Sequence, residues 1–212
     1  MAGTPRLVGS DYRVYVRIAR LALIEKQVDY ELVPVDIFAE GGAPDWYRER
    51  HPFGRIPAFE HGAVLLYETA AITRYVDEAF EGPPLQPADP AARAVMNQIV
   101  GLLDAYAYRP MVWGVYVERV SKPKRGAPDE ALIAASLEQA RTCLAALSAL
   151  KRDGRWMLGD QLTLADLHAA PMLAYFVRAP EGQALLGDHA SLSAWWENMQ
   201  SLASMAATQP SR

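Results

Sequence analysis

The residues with most chemistry to offer lie between His51 and Val76, in HPFGRIPAFEHGAVLLYETAAITRYV. Ile56 precedes Pro57, and a cis bond at that step would turn the chain sharply. The N–H and C=O of Ile56 would then face outward and could pair with an extended, peptide-like ligand. Glu68 and Thr69 come next, at the start of a helical pattern. There they offer backbone amides and side-chain oxygens to a polar ligand end. The same stretch also reads as a hairpin and a helix with no ligand at all.

Other chemistries are poorly represented. His51, His61, His168 and His189 are scattered without metal-ligand spacing. There is no phosphate-loop signature and no nucleophile elbow. The single cysteine, Cys143, sits among Leu144, Ala145 and Leu147, which suits a small buried apolar residue better than a nucleophile. One cysteine permits no internal disulfide, in keeping with a reducing compartment. A net charge of −4 lacks the electrostatic footprint of nucleic-acid binding. The basic cluster Lys122-Pro123-Lys124-Arg125 reads as a solvated loop. Arg6, Asp11 and Arg13 interrupt any signal-peptide core. No uncharged apolar run approaches the roughly 18 residues of a membrane helix. A soluble, cytoplasmic protein with no nucleic-acid or membrane partner is the expectation.

The elements that must position these residues are set by pattern. Arg6–Gly9 is a short strand, and Ser10 and Asp11 make a turn that can cap the next element. The apolar face of Val16, Ala19 and Leu23 predicts a helix over about Tyr12–Lys26. Val28–Val35 is a second strand, Gly41–Pro44 a loop, and Asp45–Arg50 a short helix. Ile56–Phe59 and Ala63–Tyr67, split by Glu60-His61-Gly62, predict a β-hairpin, and a helix opens at Glu68. The linker is Glu81–Pro90, where four prolines stop any helix. Beyond it strand signals nearly vanish. Helices are predicted over Ala91–Val120 with a kink or break at Pro110, over Pro128–Lys151, from Thr163 to about Val177 with Pro171 distorting the middle, and over Ser191–Met205. Thr163 and Asp166 stand at capping-box spacing.

These motifs resemble the glutathione S-transferase superfamily. Pro52-Phe53-Gly54-Arg55-Ile56-Pro57, with Glu68-Thr69-Ala70-Ala71-Ile72 after it, matches its Asn-Pro-x-Gly-x-Val/Ile-Pro motif and its acid-hydroxyl pair. His51 stands for the Asn and Thr69 for the usual Ser, and the Pro-Phe-Gly form is most like the phi class. The resemblance implies an α/β thioredoxin-like N-terminal domain, residues 1–80, followed by an all-α C-terminal domain, residues 90–212. It implies a cis Pro57, with the Ile56 backbone pairing the cysteinyl part of glutathione and Glu68 and Thr69 holding the γ-glutamyl end. Thr163–Leu167 resembles a capping motif of the second domain, a structural feature there.

Glutathione chemistry needs a thiolate near neutral pH, and a nearby cation or donated hydrogen bond lowers the thiol pKa. The family places its donor, a Ser, Tyr or Cys, just after the first strand. Here the Ser/Cys position falls on Arg13, which has no hydroxyl but carries a permanent charge and several donors. Arg13 is therefore a candidate to stabilise the thiolate, with Ser10 and Tyr12 as rivals in the same turn. A solvent-facing Arg13 without a role is the competing reading. The Gly41–Pro44 loop carries no cation for the glycine carboxylate of glutathione, and Arg48, Arg50, His51 or Arg55 could substitute. Tyr106, Tyr108, Trp113 and Tyr116 could line an acceptor pocket or form plain core.

The resemblance implies a glutathione transferase, with glutathione as co-substrate attacking a small apolar electrophile in a reaction suited to detoxification, and a homodimer. A glutathione-dependent reductase or peroxidase, or a non-catalytic binding protein, are the alternatives.

Overall fold

The computed structural model describes residues 3–122 and 126–210. Pro123, Lys124 and Arg125 of the basic cluster lie outside the described residues.

The chain divides into two compact units. One runs to Leu85 and takes in the chain again from Leu202; Gln86–Ser201 form the other. The first holds β1 (Arg6–Val8), α1 (Val14–Glu25), β2 (Glu31–Val33), α2 (Asp45–Arg48), β3 (Ala58–His61), β4 (Val64–Tyr67) and α3 (Thr69–Ala79). The strand order is β2-β1-β3-β4. β1 and β2 run parallel, as a βαβ crossover requires, and the other pairs are antiparallel. This mixed sheet is the expected thioredoxin-like order. Leu7, Val8, Ala58 and Phe59 are buried, as are Ile18, Leu21 and Leu23 of α1 and Ile72 and Val76 of α3. One satellite of this core is built from Val8, Val35, Ala43, Tyr47 and Ala58. It anchors the irregular segment between β2 and β3.

The last helix of this unit, α9 (Ala203–Ala207), is tied to α1. The Arg17 Nη2 donates to the Met205 carbonyl at 3.0 Å, and its Nε to Thr208 Oγ1 at 3.2 Å. Ser204 Oγ donates to the Glu25 carboxylate. The compact helical unit thus ends at Ser201, short of the 90–212 span expected for the helical domain.

The second unit holds α4 (Pro90–Leu102), α5 (Glu130–Leu150), α6 (Leu164–Phe176), α7 (Pro180–Gly187) and α8 (Ala190–Gln200). Asp89 caps α4 by accepting from the Ala92 amide at 2.8 Å. The helix does not break at Pro110. It continues beyond α4 with π-helical winding over Leu103–Ala107 and Arg109–Ser121, the wider register that commonly accommodates a local fault in the α-helical ladder. Asp129 caps α5, so Pro128 precedes the helix rather than occupying its first turn. α6 runs unbroken through Pro171 and buries every residue but Ala174. The predicted helix over Ser191–Met205 is two helices, α8 and α9, parted at Leu202, whose extended ψ of 134° ends the helical path.

The capping box at Thr163 and Asp166 is present and more heavily used than its spacing alone implies. Asp166 Oδ2 accepts from Thr163 N and Oγ1, both at 2.8 Å. Oδ1 accepts from Met157 N at 2.7 Å and Trp195 Nε1 at 2.8 Å. One buried carboxylate thus joins the start of α6, the preceding loop and α8.

Candidate active site

The ends of three strands meet at one end of the sheet. Val8 lies opposite Ala58, and Ala58 opposite Tyr67. The chain therefore leaves β1 at Gly9-Ser10 beside the entry to β3 at Ile56-Pro57, and leaves β4 at Glu68 on the other side of that entry. The Ile56-Pro57 bond is cis. Ile56 is half-buried and Pro57 is buried. The buried Tyr47 of α2 donates its hydroxyl to the Arg55 carbonyl at 2.5 Å, which fixes the segment just ahead of the proline. Burial pushes the Tyr47 hydroxyl far above its ordinary range, so it stays protonated as a donor.

Glu68 and Thr69 open α3 at this same end. Glu68 occupies the N-cap position with φ 68° and ψ 110°, a conformation that L-residues rarely adopt. Its side chain is exposed, whereas Thr69 is buried. A non-glycine residue held there is the kind of local strain found at ligand clamps.

The turn after β1 places Ser10, Tyr12 and Arg13 together but gives them different duties. Ser10 Oγ donates to the Val35 carbonyl at 2.7 Å. Its proton is engaged in tying this turn to the segment after β2, which removes it as a ready donor to a ligand. Arg13 is the N-cap of α1, with no side-chain capping bond. Its guanidinium carbon lies over two rings, 4.8 Å from the centroid of Tyr12 and 4.1 Å from that of Phe38. Its Nη2 donates weakly to the Tyr12 hydroxyl at 3.4 Å. Its Nε is buried and has no hydrogen-bond partner among the described residues. Arg13 is thus not a plain solvent-facing residue. Both rings pack against a permanent cation whose donors lie in its plane.

The four cations proposed to replace a loop lysine separate clearly. Arg50 Nε binds Glu60 at 2.5 Å and its Nη1 the Trp46 carbonyl at 2.6 Å. Arg48 Nε is turned back onto the Ala43 carbonyl at 2.9 Å. Arg55 is exposed, and among the described residues no carboxylate or carbonyl holds its guanidinium. His51 is buried, its ring 4.9 Å from Tyr67 and 6.2 Å from Phe53. Burial lowers its pKa more than the nearby Glu68 raises it, and Arg55 lowers it further. His51 is therefore neutral at pH 7, which leaves Arg55 as the unengaged positive charge among the four.

In the helical unit the aromatic candidates are mutually engaged. Trp113 Nε1 donates to the Tyr108 hydroxyl at 3.1 Å. Tyr116 packs at a tilt against Tyr175, ring centroids 4.7 Å apart, and its hydroxyl accepts from Arg178 at 3.2 Å. Tyr106 is 69 % exposed, so these residues are not plain core. Cys143 is buried, and burial raises its thiol pKa. Among the described residues no cluster of His, Cys, Asp and Glu could hold a metal ion. Among the same residues, no helix is long and apolar enough to cross a membrane.

Phe38 carried no recognisable signal in the sequence, because its partner Arg13 lies on another element. The preference for Arg55 was equally invisible, since it depends on where Arg48 and Arg50 find acceptors.

The comparisons with known proteins agree with this geometry along nearly the whole chain. Residues 7–84 match the family model described as glutathione S-transferase, N-terminal domain, and residues 89–203 the C-terminal domain model. Glutathione S-transferase F13 of Arabidopsis thaliana is 28% identical over 197 residues, covering 92% of this chain and 90% of its own. A glutathione S-transferase of Hyoscyamus muticus is 32% identical over 176 residues, covering 82% of each chain. The crystal structure of glutathione transferase F7 from Populus trichocarpa superposes with a TM-score of 0.84 at 27% identity, covering 96% of this chain and 97% of that one. With both domain models matched in order and the thioredoxin-like sheet in place, the chain belongs to the glutathione S-transferase family and is phi-like.

Proposed function

We propose that this protein is a glutathione transferase in which Arg13 takes the part that a hydroxyl plays in most of its relatives. The Ile56 backbone pairs with the cysteinyl unit of glutathione, in the manner of an added strand. The Glu68 carboxylate and the Thr69 hydroxyl receive the γ-glutamyl end. Arg55 receives the glycine carboxylate. The Arg13 guanidinium, helped by Tyr12, stabilises the thiolate, which then attacks an electrophilic carbon of a small apolar substrate and displaces its leaving group.

The observation that carries this reading is the state of Arg13. Its guanidinium packs against the rings of Tyr12 and Phe38, and its buried Nε has no partner among the described residues. A buried N–H of a cation without an acceptor is costly, and a thiolate would satisfy it. Ser10 is the weaker candidate because its hydroxyl already donates to Val35.

Transfer is favoured over reductase or peroxidase chemistry through a protein thiol, because the only cysteine is the buried Cys143 of α5. Incubation with glutathione and an aryl halide, with product analysis, tests this. A thioether supports transfer; oxidised glutathione alone supports redox chemistry; binding without product supports a non-catalytic role. We propose a homodimer as well, a reading supported by the exposed Leu65 and Tyr67 on the edge strand β4, and sedimentation tests it. A cytoplasmic location is proposed on the presence of a single cysteine, which permits no internal disulfide, and tested by fractionation.

A further inference from the structure

We infer that Phe38 is a positioning residue for the thiolate-stabilising cation, acting through Arg13 and not by contact with the reacting atoms. The inference rests on the proposed role of Arg13.

Phe38 is 57 % exposed, an unfavourable place for a large apolar ring unless something holds it there. Three contacts do. Its ring lies 4.1 Å from the Arg13 guanidinium carbon, closer than the Tyr12 ring at 4.8 Å. Its backbone N–H donates to Asp36 Oδ1 at 2.9 Å, an Asx turn that sets the course of the chain at Phe38. Its neighbour Ile37 packs on the cluster of Val8, Val35, Ala43, Tyr47 and Ala58. The loop is thus pinned from below by Ile37 and from the side by Asp36, and the ring is delivered over Arg13.

The consequence for chemistry is geometric and electrostatic. An arginine at a helix start has many rotamers, and a mobile, hydrated guanidinium is a weak partner for an anion. Two rings packed against the guanidinium limit its rotamers and its hydration and leave the buried Nε–H for a ligand. A cation over an aromatic face is itself attractive, more so when desolvated. Phe38 therefore converts Arg13 from a general positive charge into an aimed donor. The family's hydroxyl needs no such support, because a short side chain has few ways to point. The Asp36–Gly42 segment, which brings no cation to the glycine end of glutathione, has this second use.

The test is the pKa of the glutathione thiol bound to the full chain, read from thiolate ultraviolet absorbance across pH. Phe38→Ala is expected to raise that pKa by roughly half a unit to one unit, the size of one lost cation–π contact. Phe38→Tyr and Phe38→Trp are expected to keep the wild-type value, because they restore the ring. Phe38→Leu, which keeps apolar bulk without a π face, is expected to behave like Phe38→Ala. The same substitutions in an Arg13→Met background are expected to produce no further shift. A shift with Arg13→Met but none with Phe38→Ala overturns the role of Phe38 and leaves that of Arg13 standing. No shift with Arg13→Met overturns both. A Phe38→Ala shift that persists in the Arg13→Met background means that Phe38 does not act through Arg13, and also overturns the inference. Thermal midpoints of all variants, expected to stay within a few degrees of the wild type, separate a loss of aim from a loss of fold.

Discussion

Glu68 offers a test in which stability and binding move in opposite directions. Its φ of 68° and ψ of 110° hold an L-residue where a Cβ is disfavoured, at a cost of about 1–3 kcal/mol. Glu68→Gly removes that cost but adds about 0.5–1 kcal/mol of unfolded-state entropy. The net expectation runs from no change to a gain of about 2.5 kcal/mol, up to several degrees in the thermal midpoint for a domain of this size. The helix start does not suffer. The Glu68 carbonyl still accepts from the Ala71 and Ile72 amides, and glycine is tolerated at an N-cap. Glutathione affinity is expected to fall, because a charge-assisted hydrogen bond to the γ-glutamyl end is worth about 1.5–3 kcal/mol, or about 10- to 150-fold in Kd. Glu68→Gln separates the two effects: it keeps the strained backbone and the stability, and loses much of the affinity. Calorimetric titration with glutathione and denaturant unfolding measure both quantities. A Glu68→Gly variant less stable than wild type would refute the strain, and a Glu68→Gln variant with wild-type affinity would refute the role of the carboxylate.

Three further outcomes are expected. Asp166→Ala strands the Met157 and Thr163 amides and the Trp195 indole N–H in a buried setting. It should cost about 3–5 kcal/mol in urea unfolding; a loss under about 1 kcal/mol would contradict the joining role given to that carboxylate. Burial holds the His51 pKa below its ordinary value, so between that ordinary value, about 6.5, and the lower folded one the unfolded chain binds the extra proton. The contribution of His51 to stability is therefore full above about pH 6.5 and declines as the pH falls toward its folded pKa. His51→Asn should show a smaller loss than wild type between about pH 7.5 and about pH 5.5, and equal slopes would be inconsistent with a buried neutral ring. Arg55→Ala should weaken glutathione binding by about tenfold or more while leaving binding of the glycine-free dipeptide unchanged; equal losses for both ligands would remove Arg55 from the glycine carboxylate.

What could be read in the sequence was local. The hairpin, the turn at Glu60–Gly62 and the start of α3 are set by residues next to one another, as is the Thr163–Asp166 cap. The structure agrees on the hairpin, the start of α3 and the cap, but it extends β3 through Glu60 and His61, which pair with Leu65 and Val64, and places the turn at Gly62-Ala63. Of the kink or break expected at Pro110 the break does not occur, because a proline's missing donor is a local fact whereas the π-helical winding that accommodates it depends on the packing of the long helix. α7 was not anticipated, although Pro180 at its first turn and Glu181 beside it are the right start signals. The extended conformation at Leu202 parts α8 from α9, and the chain beyond it is held by Arg17 and Glu25, ties that no window of neighbouring residues contains. The site shows the same division. Ile56, Pro57, Glu68 and Thr69 were legible as motifs. Which of Ser10, Tyr12 and Arg13 has a donor to offer was not, because that turns on Val35 accepting from Ser10 and on Phe38 covering Arg13.

Arg13 carries the central claim, and the measurement that tests it is the pH titration of glutathione bound to wild type and to Arg13→Met. A cation beside an ionising group lowers its pKa by about 1–3 units, so the wild-type complex should titrate well below the free thiol and the variant should move back by about that amount. Rates of thioether formation near pH 7 should fall in parallel with the thiolate fraction. Wild type and Arg13→Met complexes that bind glutathione equally and titrate at the same pH would contradict the claim, and would return the thiolate to another donor at this site.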